Sequence, residues 1–250
     1  MIEVRDLKKQ FGEVRAVDGV SFTARSSAIT GLLGPNGAGK TTTIRMIGTL
    51  VSIDGGSVRI DDIDVATQPD AARNACGLLT DSRGVYTRMT ARENIRYYAE
   101  LRGIDVTRSE KTLARFVDWL DMKEILDRRT DGFSQGERMK VAIARALIHE
   151  PGTIILDEPT NGLDVMSTRA LRELIKRLRA EGRTVMFSSH VMQEVAALCD
   201  EIVIISRGRV TAQGSTDQLL AMSGKDTLED AFIVLADIHD THDAVVVEAA

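Results

Sequence analysis

A short apolar run, Ala28-Ile-Thr-Gly-Leu-Leu33, leads directly into Gly34-Pro-Asn-Gly-Ala-Gly39-Lys40-Thr41. This succession limits the fold more than any other part of the chain. The apolar run reads as a buried strand, because it is short, uncharged and closed by glycine. The glycines that follow permit a backbone whose N–H groups turn inward around phosphate. A helix is expected from Gly39 or Lys40 through Ile47, with its positive end aimed at the same anion. Lys40 supplies a point charge between β- and γ-phosphates, and the Thr41 hydroxyl can ligate Mg2+. The candidate phosphate-binding residues are Gly34, Pro35, Asn36, Gly37, Ala38, Gly39, Lys40, Thr41 and Thr42.

A second feature suits the first. Ile154-Ile-Leu156 reads as a buried strand, and Asp157-Glu158 follow it. Two carboxylates then lie at the carboxyl end of a strand, where open α/β sheets bind ligands. Asp157 can hold Mg2+, and Glu158 can orient or deprotonate an attacking water. Together with Lys40 this predicts hydrolysis of ATP.

The rest of the chain fits an α/β protein. Ile2–Arg5, Val20–Ala24 and Ser57–Ile60 read as strands, and Gly55-Gly56 as a turn. From about residue 84 the pattern turns helical. Thr90-Ala-Arg-Glu93 is a capping box, with Ile95, Tyr98 and Ala99 on one face of the helix it opens. Leu113, Phe116, Val117 and Leu120 recur at helical spacing. Ser134-x-x-Glu137 is a second capping box before a helix from Met139 to Ile148. Strand and helix signals then alternate: Leu171, Leu174, Ile175 and Leu178 on a helix, Thr184–Phe187 and Ile202–Ile205 as strands, and a helix near Met192–Leu198. The expected fold is an α/β P-loop core with an N-terminal antiparallel portion and an inserted helical subdomain. The expected layout is one nucleotide-binding domain over 1–236, with its core at 1–83 and 151–226 and the helical subdomain at about 84–150. A short helix Leu228–Ala236 and a flexible polar tail over 237–250 end the chain.

Composition narrows the partners. The net charge of −5 argues against nucleic acid, which binds basic faces. Cys76 and Cys199 lie far apart, so buried thiols in a reducing compartment are expected. The charged opening Met1-Ile-Glu-Val-Arg-Asp is not a cleavable signal. No run reaches the roughly 18 apolar residues of a spanning helix, so a membrane link has to come through another chain.

The ordered set of P-loop, Phe133-Ser-Gln-Gly-Glu137, Leu156-Asp-Glu-Pro159, Asn161-Gly-Leu-Asp164 and Ser189-His190 resembles the ATP-binding subunits of ABC transporters. The resemblance runs from about residue 2 to residue 236. It implies an ATPase that uses Mg2+ and works as a dimer of itself. It implies a cytoplasmic location, on the inner face of the membrane through a separate transmembrane permease. Ser134, Gly136 and the helix they open would face the γ-phosphate of ATP bound to the other copy. Read alone, the same residues are a helix start. Asp164 would lie in the loop that crosses the dimer, or cap the next helix, or both. His190 would polarise the γ-phosphate or position Glu158 and the water; a structural histidine is the alternative. Phe11 stands where the family stacks an aromatic on adenine, although a lone Phe often belongs to the core.

The pattern breaks at Asp81, where the family carries a metal-sensing glutamine. Asp81 is a candidate Mg2+ ligand, Ser82 is its rival, and a solvent-facing group beside Arg83 is the bland reading. The signature also departs at Gln135 and Glu137. The segment Leu79–Asn94 and the end Leu228–Phe232 resemble NatA-type sodium exporters of the ABC-2-like group, so sodium efflux is the first expectation. Export of a drug, lipid or antibiotic is the alternative, and a soluble ABC ATPase without transport is a further one. Docking of the permease is expected near 81–100. Arg83, Arg88, Arg92 and Arg96 read as a solvated basic face, and His239 and His242 as part of a polar tail.

Overall fold

The computed structural model describes residues 1–80 and 84–244, with side chains through 236. Asp81, Ser82 and Arg83 lie outside the described residues.

The first strands are longer than their sequence signals. β1 (Ile2–Phe11) and β2 (Val14–Ala24) form a hairpin, and β4 (Gly55–Ile60) and β5 (Ile63–Asp64) complete an antiparallel sheet in the order β2-β1-β4-β5. The second sheet contains β3 (Ile29–Leu33), β6 (Cys76–Leu79), β7 (Thr153–Leu156), β8 (Thr184–Ser189), β9 (Glu201–Ser206) and β10 (Arg209–Gly214). Its order is β10-β9-β3-β8-β7-β6, parallel except where β10 returns along β9.

Side chains alternate across this sheet, as the period of 2 requires. Leu32, Ile155, Met186, Val203 and Ile205 join a core with α1 (Lys40–Ile47) and the antiparallel sheet. Ile29, Leu33, Ile154, Leu156, Val185, Phe187, Ile202 and Ile204 join the opposite core. That core is closed by α5 (Gln135–Leu147), α6 (Val165–Ala180) and α7 (Met192–Leu198). It continues into α3 (Ala91–Leu101) and α4 (Val106–Trp119) through Ile95, Leu113 and Phe116. The edge helix α2 (Pro69–Ala75) precedes β6. Helices α8 (Thr216–Ser223) and α9 (Leu228–Ala244) follow β10.

Four expectations need correction. Gly55-Gly56 is part of β4 and not a turn. Gly56 has φ 80°, and a Cβ there would lie 2.2 Å from the Asp6 carbonyl oxygen, so glycine serves close strand approach. The final helix does not stop at Ala236 but continues to Ala244. Leu228, Ala231 and Leu235 anchor it in the core, and no Gly or Pro follows to end it. The basic run is not simply solvated: Arg92 bonds Asp127 at 2.7 Å and Glu110 at 2.8 Å, and Arg96 lies 3.5 Å from Glu110. These ion pairs tie α3 to α4 and to the loop beyond it. The two thiols also differ, since Cys76 is buried and Cys199 only partly so.

Candidate active site

The P-loop is shaped by close backbone packing. A Cβ at Gly34 would fall 2.3 Å from the Ile205 carbonyl oxygen, so this position admits only glycine. The loop ends at Gly39, which precedes α1 without a side-chain cap. The N–H groups that open α1 thus remain available to an anion. Lys40 is 5% exposed; its Nζ donates to Gly34 O at 2.7 Å and Pro35 O at 3.1 Å. The same Nζ lies 3.3 Å from Glu158 Oε1.

Strand parity brings the acidic pair here. Asp157 follows the parity of Ile155, and Ser188 that of Met186, which is the face covered by α1. Leu156 pairs with Phe187 in register, so the next residues, Asp157 and Ser188, are neighbours. Ser188 Oγ donates to Asp157 Oδ1 at 2.6 Å, and Thr41 Oγ1 lies 3.3 Å from the same oxygen. Glu158 turns out of the strand with φ 45°, its N–H donating to Ser188 Oγ at 2.8 Å. Its Oε2 meets His190 Nδ1 at 2.8 Å. Lys40, Thr41, Asp157, Glu158 and His190 therefore form one connected group. The surrounding cleft is lined by Ala16, residues 35–42, Glu158 and Asn161.

The remaining candidates lie elsewhere. Ser134 caps α5, accepting from the Glu137 N–H at 3.2 Å, while Glu137 Oε2 accepts from the Ser134 N–H at 2.7 Å. Asp164 caps α6 through the Ser167 N–H at 2.9 Å. That N–H, and then the Ser167 hydroxyl, hold the Asp164 carboxyl below the usual carboxylate range. A Cβ at Gly136 would lie 2.5 Å from Ser167 Oγ, so the α5 and α6 N-termini are packed together. Ser134, Gly136 and Asp164 do not line the P-loop cleft of their own chain. Phe11 does not line it either. It is 49% exposed at the end of β1, with the Lys9 ammonium 5.4 Å from its ring centroid.

Sequence reading missed two buried groups. Ser188 precedes the Ser189-His190 pair and carries no signal of its own. Glu194 on α7 accepts from Thr160 Oγ1 at 2.6 Å and joins the loop after Glu158 to the segment carrying His190. Neither contact has a local sequence signal. A separate groove between α1, β6, α3 and α5 is lined by Leu50, Arg73, Leu78, Tyr98, Arg102 and Arg145, and includes Thr80.

Residues 17–161 match the family described as ABC transporter. The chain is 40% identical over 238 residues to the ABC transporter ATP-binding protein NatA of Bacillus subtilis (strain 168), covering 93% of this chain and 97% of that one. It is 34% identical over 228 residues to the linearmycin resistance ATP-binding protein LnrL of the same strain, covering 91% and 73%. A solved ATP-binding subunit of an ABC transporter superposes with a TM-score of 0.87 at 29% identity, covering 94% of this chain and 99% of that one. A dimeric ATP-binding cassette in a post-hydrolysis state bound to ADP and Pi superposes with a TM-score of 0.77 at 23% identity, covering 86% and 98%. With the P-loop and the acidic strand end joined as described, this chain belongs to the ATP-binding, ATP-hydrolysing subunits of the ABC transporters.

Proposed function

We propose that this chain powers export across a membrane, as a symmetric pair attached to a separate permease on the cytoplasmic face. The observation that carries this reading is the connected group Lys40–Glu158–His190 beside Thr41–Asp157. Each ATP is held by the P-loop of one copy and by Ser134, Gly136 and the α5 N-terminus of the other. Two observations support the exchange: Ser134 and Gly136 lie outside their own cleft, and one cassette of the same fold is described as a dimer. Asp164, packed against Gly136, belongs to the same contact, and a symmetric pair makes it twice.

Lys40 and the α1 N-terminus neutralise phosphate charge as ATP binds. Glu158 takes the proton of the attacking water at its carboxylate. His190 holds that carboxylate in position through Nδ1. The Thr41 hydroxyl and Asp157 carboxylate fit Mg2+, since both are hard oxygen donors converging within 3.3 Å. Mg2+ held there by Thr41 and Asp157 would neutralise phosphate charge. Asp81 is proposed as a further oxygen ligand, and Phe11 as the ring against adenine. ATP binding closes the pair, and charge on the separated products reopens it.

The permease docks beside residues 81–100, where the groove of Tyr98, Arg102 and Arg145 lies open. Among the described residues no helix is long and apolar enough to cross a membrane. Sodium is the first cargo to test, as the resemblance of Leu79–Asn94 and Leu228–Phe232 to sodium exporters implies. A drug cargo is the second reading, favoured by the similarity to a linearmycin resistance protein.

The test is purification of the tagged chain from solubilised membranes. A co-purifying polytopic protein is expected, and ATP-driven 22Na flux in vesicles then reads the cargo. Ribosomal or nucleic-acid material in place of a permease would refute the transport reading. In parallel, Glu158→Gln should bind ATP, hydrolyse it at least ~100-fold more slowly and accumulate as a dimer. A strictly monomeric variant with ATP bound would refute the shared site.

A further inference from the structure

Ser188 has no exposed surface. Its hydroxyl makes two bonds of opposite sense at the carboxyl end of β8. It donates to Asp157 Oδ1 at 2.6 Å and accepts from the Glu158 N–H at 2.8 Å. An amide N–H can only donate, so the hydroxyl proton is committed to Asp157. The short bond to a carboxylate is of the charge-assisted kind.

The second bond fixes a backbone of unusual shape. Glu158 lies at φ 45°, a left-handed conformation that costs energy for any residue with a Cβ. That turn takes the chain out of β7 and brings the Glu158 carboxylate to Lys40 and His190. One buried hydroxyl thus holds both the carboxylate beside Thr41 and the turn beside it.

The next residue does different work. Ser189 Oγ accepts from the Val191 N–H at 3.0 Å and lies 3.5 Å from Glu194, so it organises the start of α7. The two serines are equally buried and adjacent, but only Ser188 reaches the acidic pair.

We infer that Ser188 is a positioning residue for ATP hydrolysis, orienting the Asp157 carboxylate toward Mg2+ and the Glu158 carboxylate toward water. This rests on the roles proposed above for Asp157 and Glu158. The P-loop and Lys40 do not depend on Ser188, so nucleotide affinity without metal is separable from its effect.

The experiment compares Ser188→Ala, Ser188→Thr, Ser189→Ala and Glu158→Gln in the full chain. Calorimetry measures ATP affinity with and without Mg2+, steady-state assays measure kcat and KM, and melting checks the fold. Ser188→Ala should bind ATP without Mg2+ within about twofold of the parent, given the intact P-loop. It should lose most of the affinity gained on adding Mg2+, and kcat should fall about 10- to 100-fold, the size of one hydrogen bond to a charged group. KM for ATP in the presence of Mg2+ should rise with the lost Mg2+-dependent affinity. Ser188→Thr keeps the hydroxyl and should recover both properties, while Ser189→Ala should leave the Mg2+ response intact. If Ser188→Thr melts early from its added methyl, Ser188→Ala against Ser189→Ala still decides. An unchanged Mg2+ response and kcat in Ser188→Ala would overturn the inference. So would loss of metal-free ATP affinity together with the melting temperature, which would mark a structural serine. Full turnover in Glu158→Gln would instead sink the underlying reading of the site.

Discussion

Ser134 caps α5 and, in the proposed dimer, faces the partner's nucleotide; an aspartate should split these two roles. As the N-cap of α5, its hydroxyl accepts from the Glu137 N–H at 3.2 Å and the box is closed by Glu137 at 2.7 Å. Ser134→Ala removes that acceptor and should cost about 1 kcal/mol. For a chain of this length that is about 2–4 °C in melting temperature. Aspartate caps as well as serine, so Ser134→Asp should keep the parent melting temperature. Glu137 already pairs with Arg128 at 3.2 Å, which tempers its repulsion of a new carboxylate. In the dimer, however, Asp at this position would face the γ-phosphate of the partner's ATP. One like-charge pair at ~4 Å with an effective dielectric of ~20 opposes by about 4 kcal/mol. Allowing for neutralisation by Lys40 and metal, hydrolysis should fall at least ~100-fold, or about 2.7 kcal/mol. Differential scanning calorimetry and a phosphate-release assay at saturating ATP read the two effects. Turnover of Ser134→Asp within tenfold of the parent, at unchanged melting temperature, would refute the phosphate-facing role.

Lys40→Ala removes the buried ammonium beside Gly34, Pro35 and Glu158, and equilibrium binding should find no high-affinity ATP site. Retained tight binding would contradict the P-loop assignment. Asp81→Ala should raise the Mg2+ concentration needed for half-maximal turnover or uncouple transport; no change in either would leave Asp81 a surface group. His149 offers a pH test. Burial, reinforced by the Arg102 guanidinium, lowers its pKa to about 4, and its Nε2 donates to Cys76 O at 3.1 Å. The folded chain keeps this imidazole neutral, so the unfolded chain binds more protons between about pH 6.5 and pH 4. Its contribution to stability is present above pH 6.5 and lost as pH falls toward 4. His149→Gln should flatten that part of the melting-temperature profile; an unchanged slope would show that other groups set it.

What could be read from sequence was local. The P-loop depends on a short strand, glycines and a helix start that adjoin in the chain. The capping boxes at Thr90 and Ser134 span four residues each and form as their pattern implies. The acidic pair was legible because a buried strand precedes it. What escaped reading depends on distant partners. β6 is only four residues long and is recognisable only beside β7. The role of Ser188 requires the register that sets Leu156 against Phe187. His149 meets Cys76 across 73 residues of chain. Gly55-Gly56 misled because its purpose is to let β1 pass closely, a relation no adjacent residue reveals. The length of α9 is set by packing at its beginning, and the polar residues that follow only fail to stop it.

The alternation along β7 and β8 makes the protein its own inspector. Ile155 and Met186 face one core, and Ile154, Leu156, Val185 and Phe187 face the other. A slip of either strand by one residue would exchange those memberships and, in the same motion, carry Asp157 or Ser188 away from α1. Misregistered chains therefore lose core packing together with the carboxylate. Errors of strand placement surface as missing folded protein and not as a sluggish enzyme, so the folded fraction of a preparation measures its correctly registered fraction.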